Sequence, residues 1–262
     1  MRRGVRADVM QAMAISLADV TLPQMLLVAA VAFAASILGG LAGYGTGLVL
    51  PIVLAPVIGV AQVVPVMAIA MLINNASRVA AYLRDVQWDH VKRVLLLGLP
   101  ANLLGAWGYT LLDSRGVALL LGLFLLASLP LRRLLQRSQW RIGLRAEAGA
   151  GAAFGFVNGG MTGTGVILIS LLMAGGVQGA ALIGTDAAIS VVLEVAKVTL
   201  FGGFGRLDAS LALAGVLVGL CTAPGAFVAR RVIGYIPQRA HSLVMECVVV
   251  AGAAGFLWRA WR

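Results

Sequence analysis

Charged residues are scarce in this sequence: 11% of its 262 residues are Asp, Glu, Lys or Arg, where a soluble globular chain carries about 25%. None of the four occurs from Val20 to Ser77, nor from Ala148 to Thr185. Such runs exclude a water-soluble fold, and either could cross a bilayer more than once, since one crossing needs about 20 apolar residues. Cysteine is as sparse. Cys221 and Cys247 both lie inside apolar segments, where a thiol acts as a small packing residue, so neither a disulfide nor a metal site is expected. His90 and His241 flank segments without companion ligand spacing, which argues against a zinc or di-iron centre. No GxxxxGK[ST] sequence occurs, so the chain has no visible means of hydrolysing nucleotide, and no cofactor is expected.

What is abundant is apolar: 61% of the residues are hydrophobic, with a formal charge of +10. The basic residues sit in short clusters between apolar runs. That is the distribution of positive-inside loops and headgroup contacts, not of a nucleic-acid surface. The expectation is an all-α polytopic membrane protein. Its apolar stretches fall at roughly 24–58, 61–83, 92–112, 116–131, 147–174, 178–202, 209–230 and 240–258, about eight transmembrane segments. Arg2, Arg3 and Arg6 precede a weak apolar stretch flanked by Asp8 and Asp19, which reads as a retained interfacial helix, not a signal peptide. Trp88, Trp107, Trp140, Trp258 and Trp261 mostly fall at segment ends, as in interfacial aromatic belts.

The first segment is too long. As one straight helix, 24–58 would reach about 52 Å, against a hydrocarbon core of about 30 Å. The break is visible in Gly39-Gly40-Leu41-Ala42-Gly43-Tyr44-Gly45-Thr46-Gly47, followed by Pro51, where helix propensity is at its lowest. The fifth segment repeats it at Gly159-Gly160-Met161-Thr162-Gly163-Thr164-Gly165. At nearly the same offset Ser77 to Tyr82 answers Ala196 to Phe201, and Gly105-Ala106-Trp107 answers Gly225-Ala226-Phe227. Agreement at three places argues for an internal duplication: a cytoplasmic or interfacial segment 1–23, a first four-segment repeat 24–131, a basic connection 132–146 and a second repeat 147–262. Loop charge favours parallel repeats with both halves starting in the cytoplasm. Arg230, Arg231 and Arg239 dissent from that count. Re-entrant hairpins at the two breaks would instead make the repeats inverted.

Non-helical backbone inside a bilayer is tolerated only where it is buried in protein or lines a watery cavity. Glycines can also serve simply to bring helices close, but matched breaks in two halves point to one central site, with half-helix N-termini offering N–H groups to an anion. The candidate substrate ligands from the breaks are Gly43, Tyr44, Gly45, Thr46, Asn158, Gly163, Thr164 and Gly165, with Thr162 as a further hydroxyl. Intramembrane charge is costly and marks function by default. Arg78 and Lys197 occupy matching repeat positions, with Asn75 and Glu194 three residues before them, on the same helical face. Asp186, Ser190, Glu194 and Lys197 form one polar stripe. Arg78 and Lys197 could instead sit near the surface and snorkel to headgroups. Asp186 and Glu194 must pair with a cation or carry protons.

Taken together, the break Gly43 to Gly47 with Pro51, the second break Gly159 to Gly165, the Gly184-Thr185 pair and the turn Gly205-Arg206-Leu207-Asp208 make the stretch Leu26 to Leu257 resemble the sulfite exporter TauE/SafE family of membrane transporters. The resemblance implies movement of small anions, such as sulfite and organosulfur compounds, through the bacterial inner membrane without ATP, and it adds Thr185 to the expected binding residues. Departures are Ile169-Ser170 where the first half has Leu50-Pro51, Thr185-Asp186 where Thr-Ser is the pattern, and Met67-Ala68 at the matching place. The expectation is therefore a secondary transporter and not an enzyme, with Arg78 and Lys197 supplying positive potential and Asp186 and Glu194 coupling to protons. A passive anion channel and, further off, a membrane-embedded hydrolase using Asp186 are the alternatives. Expected partners are a small anion and the lipid bilayer, with a homodimer as a further assembly and no nucleic acid.

Overall fold

The computed structural model describes residues 21–42, 45–137, 141–232 and 238–261. Among these residues there are ten α-helices and no strand. They are α1 (Leu22–Ala42), α2 (Thr46–Ile58), α3 (Val63–Tyr82), α4 (Trp88–Thr110), α5 (Ser114–Arg137), α6 (Leu144–Gly160), α7 (Gly165–Ala174), α8 (Gly179–Gly203), α9 (Ala209–Val232) and α10 (Gln238–Trp261).

Helix starts follow local chemistry. Thr21 and Gln24 have the spacing of a capping box, and Gln24 Oε1 accepts from the Thr21 N–H at 2.9 Å, securing the entry to α1. Asp113 Oδ1 accepts from the Gly116 N–H at 2.7 Å and Asp208 Oδ1 from the Leu211 N–H at 2.8 Å. Each carboxylate satisfies a first-turn donor that the helix itself leaves open.

The direction of the chain at the two glycine breaks is settled by packing. Ser36 lies against Gly225 and Gly40 against Ala229, so α1 runs parallel to α9. Val66 and Ile69 lie against Gly215 and Ile73 against Gly219, so α3 also runs parallel to α9. Hence α1 and α3 point the same way, and α2, which joins them, runs back. In the second half Val94, Gly98 and Asn102 meet Gly151, Gly155 and Gly159, so α4 and α6 are parallel. The Ile142 N–H donates to the Ala174 carbonyl at 3.1 Å, which returns the end of α7 to the start of α6. Both glycine-broken segments are therefore helical hairpins that begin and end on the same face of the bundle. The chain does not run on through the breaks, as four crossings in each half require.

Two faces result. One, the Thr110 face, gathers the ends of helices at Leu22, Val63, Thr110 and Ala209; Tyr109 donates from its hydroxyl to the Ala61 carbonyl at 3.1 Å, and Arg206 donates to the Thr110 carbonyl. The opposite Tyr82 face gathers Tyr82, Trp88, Leu144 and Gly179. There the Gln87 N–H meets Thr185 Oγ1 at 2.9 Å, and buried Glu147 accepts from Arg93 at 2.8 Å and pairs with His90.

Glycine lets α4 and α6 touch along their backbones. A methyl group on Gly155 would sit 2.1 Å from the Gly98 carbonyl oxygen, and one on Gly159 2.1 Å from that of Asn102, the close approach that small residues permit between membrane helices. Outward faces are apolar instead of polar: Leu96, Leu104, Leu123, Leu217, Leu220 and Phe227 are all exposed. Leu22–Gly40, Val60–Asp85, Gly179–Gly203 and Ala209–Arg231 are long and apolar enough to cross a bilayer. The protein is a multi-pass membrane protein.

Candidate functional site

The two hairpin tips meet inside the bundle. The Thr162 hydroxyl donates to the Gly47 carbonyl at 3.1 Å. That carbonyl is free because the residue four positions on is Pro51, which has no N–H to return to it. Each tip is closed by its own hydroxyl: Thr46 Oγ1 donates back to the Ala35 carbonyl at 3.0 Å, and Thr164 Oγ1 bonds Asn158 Oδ1 at 2.6 Å. Gly45 (φ 133°) and Gly163 (φ 83°) hold the turns into α2 and α7, in backbone conformations that favour glycine.

A small cavity opens beside the tips. Gly39, Gly45, Thr46, Gly47, Thr164 and Gly165 line it from the hairpins. α2 and α7 thus both turn their N-termini to the cavity, bringing first-turn N–H groups and the positive ends of two helix dipoles to one place. Neither N-terminus has a side-chain cap. From α3 come Met71, Asn74, Asn75 and Arg78, and from α8 Asp186, Ser190 and Glu194.

Arg78 is the positive charge of the site. It is 3% exposed, its NH1 donates to Asn75 Oδ1 at 3.0 Å, and its NH2 lies 2.9 Å from Asp186 Oδ2. The ion pair is poorly aligned: Nε and NH2 of Arg78 and Oδ1 of Asp186 have no hydrogen-bond partner among the described residues. The guanidinium therefore keeps donor capacity in the cavity wall.

The polar stripe of α8 divides between two places. Asp186, Ser190 and Glu194 reach the cavity. Lys197 turns away from it, to Glu194 at 3.0 Å and to the Met161 carbonyl at 3.2 Å, where it ties α8 to the second tip. Thr185 is also away from the cavity, spent on the Gln87 N–H at the α3–α4 turn. Gly43 and Tyr44 lie outside the described residues. Asn158 serves both cavity and frame, since its amide donates to Asn102 Oδ1 at 3.0 Å while Asn102 donates to the Leu193 carbonyl at 3.1 Å. Asn74 and Asn102 were not expected. Asn74 had a signal in its neighbour Asn75, whereas Asn102 is a lone polar residue in an apolar run.

The profile of the sulfite exporter TauE/SafE family matches residues 28–256. The chain belongs to that family. Comparison with curated proteins and with solved structures gave no match. The match takes in both hairpin tips and all the residues that line the cavity, so the cavity lies inside the part that the family shares.

Proposed function

We propose that this protein is a secondary transporter of a small oxyanion of the sulfite or sulfonate type in the bacterial inner membrane. The observation that carries the reading is Arg78, a buried guanidinium with unpartnered donors, lining the same cavity as the N-termini of two half-helices. Fixed N–H dipoles and a planar guanidinium suit a compact anion with several oxygens. The substrate class rests on the family description together with that chemistry. Asp186 and Glu194 are the carboxyls available to couple transport to protons. The test is flux of sulfite into proteoliposomes: saturable uptake with counterflow, enhanced by an imposed pH gradient, is the expected result. Ohmic currents without counterflow would replace the carrier with a channel.

We further propose that the halves are inverted repeats, each crossing three times beside one hairpin. Contacts exchange between halves in pairs: α1 with α9 as α6 with α4, and α3 with α9 as α8 with α4. Under this arrangement the dissent of Arg230, Arg231 and Arg239 disappears, because they join Arg84, Arg132, Arg133, Arg137, Arg141 and Arg145 at the Tyr82 face. Among the described residues, the connections at the Thr110 face hold Arg115 and Arg206, and the end of α10 adds Arg259. The positive-inside rule then makes the Tyr82 face cytoplasmic. In a background lacking Cys221 and Cys247, Gln178→Cys is expected to label from the cytoplasm and Phe204→Cys from outside. Because these two sites fix only the orientation of α8, Gln62→Cys is the third probe and is expected to label from outside, opposite to Gln178→Cys; labelling of both from the same side would restore parallel repeats.

A further inference from the structure

We propose that Asp186 is a tethered competitor for the anion site: its carboxylate occupies the place on Arg78 that a bound oxyanion takes, and it leaves with a proton when the anion arrives. This inference rests on the reading of the cavity as an anion site and specifies how that site works.

Three observations carry it. First, Asp186 is a carboxylate in the wall of a cavity where Arg78 and two half-helix N-termini favour negative charge and where the other carboxyl, Glu194, is paired with Lys197. A second anion beside an ionised carboxylate in so buried a place would meet strong repulsion. Secondly, the pair is badly satisfied. Arg78 Nε and NH2 and Asp186 Oδ1 lack hydrogen-bond partners among the described residues although both side chains are almost fully buried, whereas a stabilising buried ion pair has its remaining valences met. Thirdly, the other acid–base pair in the membrane interior is built differently. Lys197 holds Glu194 within one helix and also binds the Met161 carbonyl, leaving one unpartnered atom, Glu194 Oε2, whereas Arg78 and Asp186 come from different helices and leave three.

The surroundings leave Asp186 few other partners. On α3 it pairs with Arg78; Tyr82, one turn on, has a hydroxyl with no hydrogen-bond partner among the described residues and a ring under Arg230 of α9 at 4.9 Å. Arg84 and Asp85 sit in the turn packed against α8. Glu194, two turns along α8, is paired to Lys197. The hairpin tips contribute Gly45, Thr46 and Thr164, none of them charged. The exchange is balanced: the anion's oxygens replace the carboxylate on the guanidinium, one proton from solution joins Asp186, and release of the anion returns that proton. A monoanion is then carried together with one proton and no net charge.

The experiment is calorimetric titration of sulfite into purified protein in two buffers of different ionisation enthalpy, with wild type and Asp186→Asn compared. Wild type is expected to take up one more proton per bound anion than the variant, a difference from which the ionisation of sulfite itself cancels. Sulfite affinity at alkaline pH is expected to rise about tenfold in Asp186→Asn, as it would if the carboxylate left about a tenth of the wild-type sites open. Equal proton counts with unchanged affinity would overturn the proposal while leaving the anion site standing. Absence of sulfite binding to wild type would remove the site and the proposal with it. If Asp186→Asn does not fold, wild type decides: a count no larger than the ionisation of sulfite supplies overturns the exchange.

Discussion

Arg78→Ala is expected to abolish sulfite flux in proteoliposomes and to lower stability by about 3–5 kcal/mol, the usual cost of removing one partner of a buried ion pair. Both effects have one origin. Arg78 is 3% exposed and Asp186 1% exposed, so the carboxylate left behind stays almost fully buried without its cation. Two companion variants separate the losses. Arg78→Met combined with Asp186→Leu removes both charges, and it is expected to regain most of the thermal stability in detergent while flux stays absent. Arg78→Lys keeps a positive charge but gives up the planar fork that reaches Asn75 and Asp186 together, so it is expected to fold and to transport weakly. Recovery of flux in the uncharged double variant would show that Arg78 holds the bundle together without serving the anion.

Much of this site is written in the sequence one residue at a time. The charge-free runs declare the membrane, the glycine clusters mark the breaks, and the spacing of three places Asn75 with Arg78 and Glu194 with Lys197 on single helical faces, where each pair does meet. Pairing across helices is not written that way. Arg78 and Asp186 belong to different halves, and only the packing of α3 against α8 brings them together. The same limit hides the reversal at the breaks, because a glycine cluster permits a bend, a kink or a turn back without choosing among them. The choice is made by contacts far away in sequence: Gly40 on Ala229, Gly155 on Gly98, and the Ile142 N–H on the Ala174 carbonyl. Thr185 shows the same limit from the other side. The family resemblance suggests it as a ligand, but its hydroxyl accepts from the Gln87 N–H in the α3–α4 turn.

The second large effect is expected at the tip contact, from Gly163→Ala. Its backbone has φ of 83°, and a Cβ there would lie 2.5 Å from Leu48 Cδ2 and 2.8 Å from the Gly47 carbonyl oxygen. The strain of the left-handed conformation costs about 1–2 kcal/mol by itself. Gly179→Ala isolates that part, since Gly179 has φ of 61° and open space around the position. Gly163→Ala must in addition push apart the two hairpins where they touch. The carbonyl of Gly47 would then lose the Thr162 hydroxyl, and Pro51 supplies no N–H in its place. Both hairpins present their N-termini to the cavity from this contact, so a shift of a few tenths of an ångström changes the spacing of the donors on either side of the anion. Flux is expected to fall at least about tenfold more in Gly163→Ala than in Gly179→Ala, equivalent to about 1.4 kcal/mol in a rate barrier. Equal flux in the two variants would mean that the tips tolerate separation and that the anion site does not depend on their contact.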